Sequence, residues 1–117
     1  TEIIGYGAST KGNIVLNHCG INDQNLRYIC DANPYKFGRF TPGSNIKIIS
    51  KQQMRKMKPK YLLVLIWSFR SEVIKQEINY LKKGGKLIFH LPMLHIIDKN
   101  NNKNFIKKDF SSFSYSF

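Results

Sequence analysis

The residues best placed to do chemistry stand near the start of the chain, in the run Gly5-Tyr6-Gly7-Ala8-Ser9-Thr10-Lys11-Gly12-Asn13, directly after the apolar pair Ile3-Ile4. A strand, a glycine-rich turn and a helix N-terminus together make an anion site, because free backbone N–H groups and the positive end of the helix dipole point at one spot. Gly5 permits the tight turn, and Gly7 lets a ligand or a neighbouring backbone approach closely. Asp31 follows Gly7 by 24 residues, where dinucleotide folds place a ribose-binding carboxylate. The fingerprint is incomplete, since a pattern starting at Gly5 requires glycine where Thr10 stands, and the third glycine, Gly12, follows a lysine. Two readings stay open: a nucleotide-binding turn, or glycines that only allow helix-on-sheet packing while Asp31 caps the next turn. Lys11 is the more informative residue. It falls in the first helical turn, where a cation opposes the dipole by less than about 1 kcal/mol, and a bound diphosphate would account for it. A lysine pointing to solvent is the alternative.

Asp31, Asn33 and Lys36 follow the predicted strand 26–30, Ser68 follows 61–67, and His90 lies near the end of 86–91. A parallel sheet would gather them along its carboxyl edge, where ligands of such folds bind. His90 is a candidate general base or a histidine hydrogen-bonded at a strand end; the sequence assigns it no partner carboxylate. His18 and His95 have lesser claims. No pair of His, Cys or acidic residues has metal-ligand spacing, so no metal site is expected. Neither a nucleophile elbow nor a P-loop is present.

The elements that must position these residues alternate between strand and helix, which predicts an α/β fold with a mainly parallel sheet of about five strands. Strands are expected at 3–6, 26–30, 46–49, 61–67 and 86–91. The unbroken apolar run from Tyr61 to Trp67 has the character of a strand buried on both faces, at the sheet centre. A helix over 11–19 presents Ile14, Val15, Leu16 and Cys19, with Gly20 as a left-handed stop. Ser50 and Gln53 form a capping box for a short helix ending before Pro59. Ser68 caps a further helix in which Val73, Ile74, Ile78 and Leu81 recur at helical spacing until Gly84-Gly85. The fourteen residues 32–45 hold two Pro and two Gly and serve as a crossover without a helix. Residues 1–92 are read as the folded domain. Residues 93–117 form a polar and aromatic tail, packed on the domain or partly disordered, whose Phe105, Phe110, Phe113, Tyr115 and Phe117 would be an aggregation liability if fully exposed.

With 117 residues the chain can build one core. It starts at Thr1 on the edge of a strand, and we read it as an excised or processed piece. Its longest apolar run is about a third of the roughly 20 residues a membrane span needs, and nothing resembles a signal peptide, so a soluble, cytoplasmic protein without a membrane partner is expected. Cys19 and Cys30, without a C-x-x-C pair, fit buried thiols in a reducing compartment. Nineteen basic against seven acidic residues give a net charge of +12. Fifteen of the nineteen are Lys, whereas base and phosphate readers lean on the Arg fork, so the basicity is read as solvated surface and nucleic acid is not an expected partner.

Four blocks are distinctive together: G-Y-G-A-S-T-K-G-N at 5–13, D-A-N-P-Y-K-F-G-R-F-T-P-G at 31–43, L-I-W-S-F at 65–69 and K-K-G-G-K-L-I at 82–88. In this order, over about residues 3–92, the chain resembles the C-terminal domain of the sugar C-methyltransferase family. The resemblance implies a Rossmann-like three-layer domain that helps enclose a nucleotide-linked keto sugar, downstream of a zinc-binding region and of a domain that binds S-adenosylmethionine. It implies removal of a proton beside a ketone, then attack of the enolate on the sulfonium methyl. The zinc cysteines, a second glycine-rich unit and the acidic residue usual ahead of the first glycine are lacking. The cofactor and the main catalytic base are therefore expected outside this chain, with no cofactor bound by the chain itself, and the partners are the upstream domain of the same polypeptide and the nucleotide sugar. Carried onto this sequence, the substrate-facing residues are Gly5, Tyr6, Gly7, Ala8, Lys11, Gly12, Asn13, Asp31, Asn33, Lys36 and Ser68, with Lys11 and Lys36 for the diphosphate; no catalytic residue is assigned beyond the candidate His90. The alternatives are a free-standing nucleotide- or dinucleotide-binding module without catalysis, and a structural module with a basic contact surface.

Overall fold

Alternate residues of four-residue strands divide the interior into two apolar clusters. The structure, a computed structural model, describes residues 2–90 and 93–106. Its strands are β1 (Ile3–Tyr6), β2 (Tyr28–Asp31), β3 (Lys47–Ser50), β4 (Tyr61–Val64), β5 (Lys86–Phe89) and β6 (His95–Ile97), and its helices are α1 (Thr10–His18), α2 (Lys51–Met57), α3 (Arg70–Gln76), α4 (Ile78–Lys82) and α5 (Lys103–Ile106). The six strands form one sheet in the order β3-β2-β1-β4-β5-β6. The first five are parallel, with Ile4 opposite Leu62 and Tyr6 opposite Val64, and β6 runs antiparallel to β5. The fold is thus mixed α/β around a mostly parallel sheet.

Because side chains alternate across a strand, Ile4, Tyr6, Cys30, Ile49, Leu62, Val64, Leu87 and Phe89 join Met54 of α2, Val73 and Ile74 of α3 and Leu81 of α4 in one cluster. Ile29 and Ile48 join Leu16 of α1, Leu26, Ile46 and Leu65 in the other. The predicted strands are all present, β1 with the predicted ends and the others with one or both ends displaced by up to three residues, and β1 and β4 occupy the centre of the sheet. Gly20 stops α1 at φ +70, and the N–H of Ile21 donates to the Leu16 carbonyl at 2.9 Å, a left-handed C-terminal cap of the expected kind. Ser50 accepts the Gln53 N–H at 3.1 Å at the start of α2.

Four expectations are corrected. The helix expected from Ser68 onward is two short ones, because Glu77 leaves helical geometry at φ −105 and turns its carboxylate inward. Ser68 caps neither: it lies in a 3-10 turn over Trp67–Phe69, and α3 starts without a side-chain cap. Only Gly12 and Leu16 of α1 are buried, while Ile14 is 62% exposed, since α1 touches the sheet along one narrow stripe. After Pro92 the chain contributes a sixth strand, three residues long and too short for period 2 to register. Phe105 packs beside the larger cluster; Phe110, Phe113, Tyr115 and Phe117 lie outside the described residues.

Candidate functional site

The carboxyl ends of β1 and β2 lie side by side, and the loops leaving them are bonded to each other. Gly7 turns away from β1 at φ +96 while its N–H donates to the Cys30 carbonyl at 2.8 Å. The Ala8 N–H donates to Asp31 Oδ2 at 2.8 Å, and the Asn33 N–H donates to Asp31 Oδ1 at 2.8 Å. Lys36 reaches back across the gap, its Nζ donating to the Ala8 carbonyl at 2.9 Å and standing 3.6 Å from Asp31 Oδ2. Asn33 in turn accepts the Tyr35 N–H at 3.1 Å and opens a 3-10 turn over Pro34–Lys36. Asp31 therefore clamps two loops as well as ending its strand, which is the capping role foreseen as one of its two readings.

Ser9, which the sequence reading passed over, is the N-cap of α1: its Oγ accepts the Gly12 N–H at 3.0 Å. Its signal in the sequence is a serine directly ahead of the helix and three residues before Gly12. The N–H groups of Thr10 and Lys11, first in the helix, have no intrahelical acceptor, and Lys11 is exposed beside them. That end of α1, with Lys36 half-buried nearby, can receive an anion through backbone donors and positive charge.

The glycines answer to packing. A side-chain carbon on Gly7 would stand 2.6 Å from Ile66 Cγ2, one on Gly12 would stand 2.8 Å from Leu65 Cβ, and one on Gly5 would stand 2.9 Å from Ile29 Cγ1. Two further candidates are engaged within the protein. The Tyr6 ring is fully buried among α3-side residues, with its hydroxyl donating to Glu77 Oε2 at 2.8 Å, so its side chain cannot face a ligand at the strand ends. Asn13 ties α1 to the 42–44 loop: its Nδ2 donates to the Pro42 carbonyl at 3.0 Å and its Oδ1 accepts from Ser44 Oγ at 3.1 Å. Ser68 is exposed in the loop after β4.

His90, at the end of β5, is half-buried, and neither ring nitrogen has a hydrogen-bond partner of good geometry among the described residues. Burial, which favours the neutral ring, lowers its pKa below the ordinary 6.5, against a smaller opposite pull from the Val64 backbone. His95 stands in β6 opposite Phe89. Its Nδ1–H donates to the Met93 carbonyl at 2.7 Å, leaving Nε2 to accept from the Arg70 guanidinium at 3.2 Å, and its ring stacks between Phe89 and Phe105. No group of three or more His, Cys, Asp or Glu among the described residues is arranged to hold a metal, and no described helix is long and apolar enough to cross a membrane.

A second polar constellation, missed from sequence, lies behind β1. Glu77 is 1% exposed and accepts from Arg55 Nε at 3.1 Å, from Arg55 NH2 at 2.6 Å and from the Tyr6 hydroxyl. The available signal was an acidic residue falling on the apolar stripe of Val73, Ile74, Ile78 and Leu81, where a charge must be paired.

A parallel sheet whose adjacent strand ends present a glycine turn, a helix N-terminus and a lysine is the layout of a ligand-binding α/β domain. Residues 1–92 match the C-methyltransferase C-terminal domain, and the chain belongs to that family. The C-methyltransferase NovU of Streptomyces niveus is 38% identical over 95 residues, covering 81% of this chain and 23% of its own length. The chain therefore spans about a quarter of that relative.

Proposed function

We propose that this chain is the substrate-side domain of an S-adenosylmethionine-dependent C-methyltransferase acting on a nucleotide-linked keto sugar, with the cofactor domain and the main catalytic base elsewhere in the polypeptide. Family membership supports the methyl transfer, and the observation that carries the substrate-side role is the exposed Lys11 at the open N-terminus of α1, next to the Lys36 clamp. In this reading the sugar nucleotide's diphosphate lies against the N–H groups of Thr10 and Lys11, held by the two lysines. The two apolar clusters, one on each side of the sheet, support a three-layer Rossmann-like description.

The residues present do not fit an adenosine cofactor. Ile66 and Leu65 fill the space beside Gly7 and Gly12, and both oxygens of Asp31, the carboxylate placed to hold a ribose, are engaged by Ala8 and Asn33. This supports cofactor binding outside the chain, and no methyl-transfer step is assigned to its residues. The domain instead orients substrate and excludes water.

In the full-length enzyme, Lys11→Ala should raise the KM for the sugar nucleotide by roughly tenfold, one charge-assisted contact, with kcat little changed. An unchanged KM would remove Lys11 from the site. The alternative of a free-standing nucleotide-binding module predicts instead that the purified chain binds NAD by calorimetry.

A further inference from the structure

At the amino ends of β4 and β5, the sheet edge opposite the glycine turn, a cavity of about 750 Å³ opens between the last turn of α2 and helix α4. That volume lies within the roughly 300–1,000 Å³ of small-molecule sites. Arg55, Lys58, Lys60 and Lys83 supply four cations to its lining, and Glu77 supplies the one carboxylate. Glu77 is already neutralised, through two hydrogen bonds from Arg55 that leave three of the five guanidinium N–H groups over. Lys60 makes only a loose, exposed pair with Glu2 at 3.8 Å, and Lys58 and Lys83 have no acidic partner within 4.0 Å among the described residues. The carboxyl ends of α2 and α4 bring at most about one negative charge between them, which leaves the lining clearly positive.

The walls are as specific as the charge. Pro59 and the Tyr80 ring also line the cavity. The Tyr80 hydroxyl is held by Lys86, accepting its N–H at 3.3 Å, and Gly85 leaves room for that ring where any side chain would run into it. Lys58 takes a left-handed backbone at φ 50, a conformation that disfavours lysine and suits Asn or Gly. The K-K-G-G-K block, which the glycine-turn site does not use, thus supplies Lys83, Gly84 and Gly85 to this one cavity.

We propose that this cavity is a second binding site, for a small molecule bearing a phosphate or diphosphate group, separate from the sugar-nucleotide site at the carboxyl edge. The anion sits among Arg55, Lys58 and Lys83, and Tyr80 with Pro59 flanks whatever the phosphate carries.

The test is calorimetric titration of the full chain with inorganic pyrophosphate, repeated on Lys58→Asn, Lys83→Gln, Lys11→Gln and Lys36→Gln. Lys58→Asn suits its backbone, so a folding defect is not expected, and circular dichroism melting checks this for each variant. The expected result is saturable binding that weakens roughly tenfold in Lys58→Asn and again in Lys83→Gln, while Lys11→Gln and Lys36→Gln leave that phase intact. Three results would overturn the proposal: no saturable binding, loss only in the Lys11 or Lys36 variants, or several weak equivalent sites that respond equally to every lysine. The second would place the anion at the glycine turn, and so separates this proposal from the sugar-nucleotide reading.

Discussion

The carboxylate of Asp31 accepts the backbone N–H of Ala8 at 2.8 Å, joining the ends of β1 and β2 across 23 residues of sequence. A residue placed where dinucleotide folds hold a ribose is here built into the protein, with Lys36 closing the same clamp from its other side. The clamp fixes the course of the glycine turn and so the direction in which the first turn of α1 points.

Replacing Asp31 with Ala should cost about 1–3 kcal/mol, because it leaves the Ala8 and Asn33 N–H groups without their acceptor. Urea unfolding measures the loss. Asp31→Asn keeps one acceptor oxygen and should lose about half as much; an Asp31→Ala protein as stable as the parent would mean that water replaces the carboxylate without penalty.

Tyr6→Phe separates the buried ring from the proposed ligand site. It removes the 2.8 Å bond to Glu77 and should lower stability by roughly 1–2 kcal/mol, with no change in the KM for the proposed sugar-nucleotide substrate. A raised KM at unchanged stability would show that the residue faces substrate after all.

Acid should weaken the fold partly through its histidines. Burial depresses the pKa of both His90 and His95 below 6.5, and Arg70 adds to the effect at His95. Each binds its proton more readily when unfolded, so its contribution is fully present above about pH 6.5 and declines as the pH falls towards the folded value. Melting temperatures between about pH 7.5 and 5.5 should therefore fall less steeply for His90→Gln/His95→Gln than for the parent. Parallel profiles would assign the acid sensitivity to carboxylates alone.

The two thiols should differ sharply in reactivity. Cys19 is exposed after α1, whereas Cys30 is buried in β2 and its pKa is pushed up to about 12, chiefly by burial and then by the nearby Glu77. A thiol reagent at neutral pH should titrate one cysteine in the native chain and two in denaturant. Prompt reaction of both would mean that the end of β2 opens far more often than its packing implies.

Much of this protein was legible from local pattern alone. The apolar run over Tyr61–Trp67, the left-handed stop at Gly20 and the Ser50 cap are read from local sequence, and they were enough to predict a mainly parallel α/β sheet with β4 at its centre. The glycine turn could be located for the same reason. What its glycines are for could not, because Ile66 and Leu65, which fill the space beside Gly7 and Gly12, arrive from more than fifty residues away. Tertiary structure also decided that Asp31 turns inward to Ala8, that Tyr6 is withdrawn from the strand ends by Glu77, and that Lys58 and Lys83 share a cavity. Each of these depends on which side chains meet after the strands pair, and strand order is a property of the whole chain that no short spacing encodes.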